Sequence, residues 1–167
     1  HEPHGMLLDN HLDDVLKPAS QFAFDWMHLS VVHGVFNTVL HLLLEDLIVS
    51  GMPDVYSQLQ AYMLEWHFPS SVSTSPVTLG KLLTSKSRIA NKKAKHFRCA
   101  ASQALGLYPI VELYLLRAVL PAAICIDGIS AFLAMSDLID MLQRMPLGQV
   151  TSDMLRVSIN KFIDLCM

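Results

Sequence analysis

Apolar residues fall at positions 29, 31, 32, 35, 36, 39, 40, 43, 44 and 47, a 3.6-residue period that predicts an amphipathic helix from His28 onward. Ser50-Gly51, with Pro53 beyond, predicts its end. The same spacing at 55, 56, 59, 62, 63 and 66 predicts a second helix, stopped by Pro69. Upstream, apolar positions 7, 8, 12, 15 and 16 predict a short helix over 6–16, closed by Lys17-Pro18. Gln21-Phe22-Ala23-Phe24 is the one segment that reads as a strand. Downstream, helical tracts are expected at about 100–107, 109–120, 122–145 and 152–166. Pro109 and Pro121 mark boundaries, Pro146 and Gly148 a turn, and Thr151 or Ser152 the last cap. The segment SSVSTSP reads as loop. The sum is an all-α chain, a single domain over 1–167 with six or seven helices and at most one short strand near 20–24. A basic loop or arm at about 69–98 divides an acidic N-terminal half from an apolar C-terminal half.

Composition adds an excess of apolar surface. The 167 residues are 52% hydrophobic and 16% charged, against about 45–50% and about 25% for an ordinary soluble domain. That excludes a disordered chain and predicts one core, with apolar surface left over for a partner or a membrane face. Residues 26–44 carry no charge, yet His28, Ser30, His33, Asn37, Thr38 and His41 lie within them. Such groups are costly in lipid, so the greasy tracts are expected to be buried protein helices rather than spans. Cys99, Cys125 and Cys166 are too few and too widely spaced for a disulfide framework or a metal pair, which favours a reducing compartment. The first residues, HEPHGMLLDN, begin without Met and lack the pattern of a leader, as expected of a processed chain or a fragment.

The net charge of −3 conceals two opposed regions. Seven of the twelve basic residues lie within 79–98, namely Lys81, Lys86, Arg88, Lys92, Lys93, Lys95 and Arg98, with no acid among them. Residues 1–65 carry nine acids against Lys17 alone. The basic stretch suits phosphates or an acidic partner, although Phe97 is its only aromatic and offers little for base stacking. The bland alternative is a solvated loop resting on the acidic half.

His33, Asn37, His41 and Glu45, each one turn apart, make a polar seam on one helix face. Two imidazoles and a carboxylate there are candidate ligands for a divalent metal, with Asp25 as a further carboxylate. The seam drifts by about 40° per step and has no HExxH-type partner, so a solvated or helix-contacting polar face is the stronger reading. Asp25, three residues before His28, reads as a helix cap or as one half of an Asp–His pair. No Gly-rich phosphate loop, Gly-x-Ser-x-Gly elbow or activated cysteine motif occurs, which removes the sequence basis for nucleotide binding and hydrolysis. No cofactor is expected.

At FDWMH with the following LSVVHGVFNTVLHLLLEDL, and at FRCAASQALGLYPIVELYL, the chain resembles mobile-element open reading frames of protist genomes, relatives of RNase H-like transposases. The resemblance runs from about 18 to 140. It implies that Asp25, after the strand-like QFAF, stands where such enzymes place a metal-holding carboxylate. It also implies an acid where this chain has Gln103, so an amide there would weaken a two-metal site. One candidate strand is too few for the sheet of that fold. The expectation is therefore a non-catalytic helical interaction or scaffold subunit of a larger assembly, with protein, membrane-protein or lipid contacts. The apolar faces of 105–120 and 122–142 would be its functional surface and 81–98 its docking arm. The alternative is a DNA-binding or degenerate nuclease part of a transposase-like protein.

Overall fold

The computed structural model describes residues 34–69 and 74–167, and no strand occurs among them. Seven α-helices follow in order: α1 Val35–Val49, α2 Val55–Leu64, α3 Pro76–Gly80, α4 Ser85–Ala94, α5 Ala101–Tyr114, α6 Ile126–Arg144 and α7 Ser152–Cys166. The expected helix over 6–16, the strand near 20–24 and the start of the His28 helix lie outside the described residues.

The helix ends obey local chemistry. At the close of α1, Gly51 sits at φ 109°, where a side chain would be strained. The Gly51 N–H donates to Ile48 O and the Met52 N–H to Leu47 O, which satisfies the last carbonyls. Ser75, Thr84 and Thr151 cap α3, α4 and α7 by accepting the N–H three residues on. Gln103 Oε1 accepts the Ala100 N–H at 2.9 Å, so this amide closes the start of α5.

The core is the shared interior of α1, α2, α5 and α6. Phe36, Leu40, Leu44 and Leu47 of α1, Leu59 and Met63 of α2, Leu107 and Val111 of α5, and Ile129, Phe132 and Met135 of α6 are at most 1% exposed. The Phe36 and Phe132 rings pack at 6.0 Å. A β-carbon at Gly128 would lie 3.3 Å from Leu43 Cδ1, so the missing side chain lets α6 approach α1. Across the far side, Tyr108 donates to Asp140 Oδ1 at 2.6 Å and accepts from Gln143 at 2.7 Å, tying α5 to α6.

Three expectations are corrected here. Pro109 does not divide the 100–120 region: α5 runs through it, then widens into a π turn at Leu115–Val119 and tightens into a 3₁₀ turn at Leu120–Ala122. An interior proline costs about 3 kcal/mol, whereas burying Leu107, Ile110, Val111, Tyr114 and Leu115 contributes about 1.5–3 kcal/mol for each large aliphatic side chain. Residues 123–125 are turn, with Ala123 and Cys125 left-handed at φ 54° and 51°, so α6 starts later than its apolar pattern suggests. The basic 69–98 segment is largely not a loop, because Pro76–Gly80 and Ser85–Ala94 are helical and Lys81–Leu83 is a 3₁₀ turn. Ala101–Ala122, 22 residues at mean hydropathy 1.4, is long and apolar enough to cross a membrane by composition, yet its inner face is part of this core.

Candidate functional site: a cationic helix and an apolar groove

Thr84 starts α4 by accepting the Ser87 N–H, and Lys95, left-handed at φ 57°, ends it. At about 100° per residue, Arg88, Lys92, Ile89, Lys93 and Lys86 fall on one face and Asn91 on the opposite one. The structure follows that wheel. Lys86, Lys92, Lys93, Lys95, Arg98 and Lys81 are exposed, and Asn91 is the one buried side chain of α4. Arg88 is half-buried, its guanidinium 5.6 Å from the centre of the Tyr56 ring. Among the described residues none of these seven cations forms an ion pair with a carboxylate. In the middle of that charge stands Ile89, 72% exposed.

Beneath α4 lies the polar seam. Asn37 and Asn91 are 1% exposed, Tyr56 4% and His41 7%, and Glu45 is half-buried. Asn37 Oδ1 accepts from the Cys99 thiol at 3.1 Å and its backbone carbonyl from the Phe97 N–H at 2.8 Å. Asn91 Oδ1 accepts the Arg98 N–H at 3.0 Å. Asn37 Nδ2, His41 Nδ1, Glu45 Oε1, the Tyr56 hydroxyl and Asn91 Nδ2 are buried without a hydrogen-bond partner among the described residues. Burial raises the Tyr56 hydroxyl above its ordinary pKa. Burial also pushes the Cys99 thiol up to about 12, which leaves it a neutral donor rather than a nucleophile.

Of the metal candidates, His41 and Glu45 share this seam, and His33 and Asp25 lie outside the described residues. Among the described residues no three His, Cys, Asp or Glu side chains are grouped to hold a metal. The seam is thus not a solvated stripe: Asn37 and His41 face inward, and Asn91 comes from a second helix.

The expected interaction surface is displaced. The apolar positions of 105–120 and 122–142 are mainly core, with Leu116, Leu120 and Ile126 left partly open. Exposed apolar side chains gather instead on α7, where Met154, Val157, Ile159, Ile163 and Leu165 are 37–66% exposed and Met167, just past the helix, is 93% exposed. α7 rests on α6 and buries only Ser158 and Phe162. Between the two helices runs a groove of about 410 Å³, lined by Asp137, Met141, Asp153, Met154, Val157, Ser158 and Lys161. Lys161 reaches Asp137 at 3.5 Å and Arg156 reaches Asp153 at 2.9 Å, both in solvent. Desolvation first, then the nearby Asp140 and Asp137, raises the pKa of Glu112, so the α6 side of this region is crowded with carboxylates.

Pattern reading missed one residue and the exposure of one helix. Asn91 carries no apolar signal, and only its place opposite five outward side chains on a wheel would mark it. The α7 face was visible as periodicity, but nothing in it says how little of that face α6 covers. No family model, no curated protein and no solved structure matches the chain.

Proposed function

We propose that this chain is a non-catalytic helical interaction protein, a subunit of a larger assembly that docks through α7 and the groove it forms with α6. The observation that carries the reading is the exposure of Met154, Val157, Ile159, Ile163 and Leu165 on a helix that places one large side chain, Phe162, in the core. Several large apolar side chains left open along the flanks of one helix are the kind of surface that interaction sites use. The exposed ends of the α5 region and Ile126 extend the surface available to protein or membrane-protein neighbours. The test is the native mass of the endogenous protein with wild-type sequence and with M154D/V157D. The reading expects a large assembly that shrinks to the mass of the free chain in the variant. An unchanged mass removes α7 from the function.

A second reading is favoured by a separate observation, the unpaired cations of α4. Lys86, Lys92 and Lys93 on the helix, with Lys81, Lys95 and Arg98 at its ends, suit a phosphate backbone. In this reading the chain is the DNA-binding or degenerate nuclease part of a transposase-like protein, and Asp25 is its remaining carboxylate. Binding to duplex DNA, followed by fluorescence anisotropy, would then weaken with a log–log salt slope near −0.9 per phosphate neutralised. Binding that is absent, or indifferent to reversal of Lys86, Lys92 and Lys93, rejects it.

A further inference from the structure

Two surface features match each other. The α6–α7 groove has an apolar floor of Met141, Met154 and Val157 and carboxylates on both rims, Asp137 from α6 and Asp153 from α7. Methionine is unbranched and adapts to an incoming side chain. Met154, Val157 and Lys161 are spaced i, i+3 and i+7, so they form one straight wall. The α4 face is the complement. Ile89, 72% exposed, stands between Lys86 at i−3 and Lys93 at i+4, both exposed and without a carboxylate partner among the described residues. An apolar anchor between two cations meets an apolar trough between two acids, the mode in which an amphipathic helix enters a groove. The counter-ions already on the rims, Lys161 and Arg156, are held in exposed pairs, which are worth about 0–1 kcal/mol and exchange readily.

We propose that the groove is occupied by a second copy of this chain, which inserts Ile89 of its α4 against Met141, Met154 and Val157 and sets Lys86 and Lys93 opposite Asp137 and Asp153. The proposal rests on the docking reading above and names its partner. The two contacting surfaces are different patches of one molecule, so the contact is head-to-tail and repeats into a ring or an open chain rather than closing as a two-fold dimer. The groove copy and the helix copy are also separable by mutation, because Ile89 and Val157 are both mostly exposed and substitution there leaves the fold intact.

The test is sedimentation velocity of the purified full chain over a concentration series at low and high salt. Wild type is expected to grow beyond two copies with concentration and to return to one copy at high salt, because rim charges are screened. I89D alone and V157D alone should each sediment as one copy with an unchanged circular dichroism spectrum. Their equimolar mixture should form a species of two copies and no larger, since each partner keeps one intact face. A wild-type chain that stays one copy throughout overturns self-docking. So does assembly that survives I89D, or a mixture that fails to pair. If the purified chain is monomeric while the endogenous assembly still shrinks with M154D/V157D, self-docking fails and the docking reading stands. If the endogenous mass ignores that variant, the docking reading itself fails.

Discussion

α4 and α7 are both peripheral, but they are attached differently: α4 through one buried amide, α7 along the length of α6 with Phe162 buried and Leu155 packed against the core. α4 buries one side chain, the amide Asn91, and shows solvent a cationic face. α7 buries Ser158 and Phe162 and leaves apolar side chains open on both flanks of that stripe, Met154, Val157 and Leu165 on one and Ile159 and Ile163 on the other. The central helices differ from both, since α1 buries seven side chains and α6 eight. A cationic outer face is at ease in water, so α4 needs no partner to explain it. Exposed apolar flanks are not, because each buried large aliphatic side chain is worth about 1.5–3 kcal/mol that remains unrealised in solvent. The exposed side chains therefore say more about function at α7 than at α4.

The largest effect that would break this contrast is at Phe162. Truncation F162A should cost about 3–5 kcal/mol if α7 is held by that ring, and hydrogen exchange should show protection lost over 152–166 while the centres of α1 and α6 keep theirs. Protection retained across α7 would mean that its exposed flanks are already engaged within the chain. At α4 the matching change is N91A, which removes the acceptor of the Arg98 N–H and leaves a buried polar neighbourhood without it. About 1–3 kcal/mol is expected in chemical denaturation, with faster exchange confined to 85–98. A global loss equal to that of F162A would show that the two helices are not attached in different ways.

The smallest effect is electrostatic and lies at Glu112. Its folded pKa is raised, so the folded state binds more protons than the unfolded state between the two values, and stability falls as pH rises through the folded pKa. E112Q should flatten that fall and raise the melting temperature slightly at pH 7, with no gain at pH 4. A variant that is less stable at pH 7 would show that the carboxylate is held by attraction rather than crowded by Asp140 and Asp137.

The helices that carry apolar stripes were legible from the chain: α1, α2 and α7 follow the 3.6-residue period, and Ser50-Gly51 and Thr151 mark their ends as expected. What escaped has physical causes. Pro109 looks like a break because local propensity counts the lost N–H and not the five side chains that tertiary packing buries around it. The Ala123 and Cys125 turn has no glycine to announce its left-handed residues. α4 looks like a loop because it attaches through an amide, and a charge run without apolar spacing carries no period to read. The burial of the 105–120 and 122–142 faces escaped for a different reason. Several apolar faces compete for one core, and which of them is left over is decided by pairings such as Leu43 against Gly128, which lie far apart in sequence.

Met154 and Met145 allow a direct test, since they are 45% and 46% exposed and so should oxidise alike in the free chain. Met154 lines the groove and Met145 lies outside it. Hydroxyl-radical footprinting of the endogenous assembly, compared with the dilute purified chain, should show Met154 protected several-fold in the assembly while Met145 keeps its reactivity. Equal reactivity of Met154 in both states would contradict a docking role for α7.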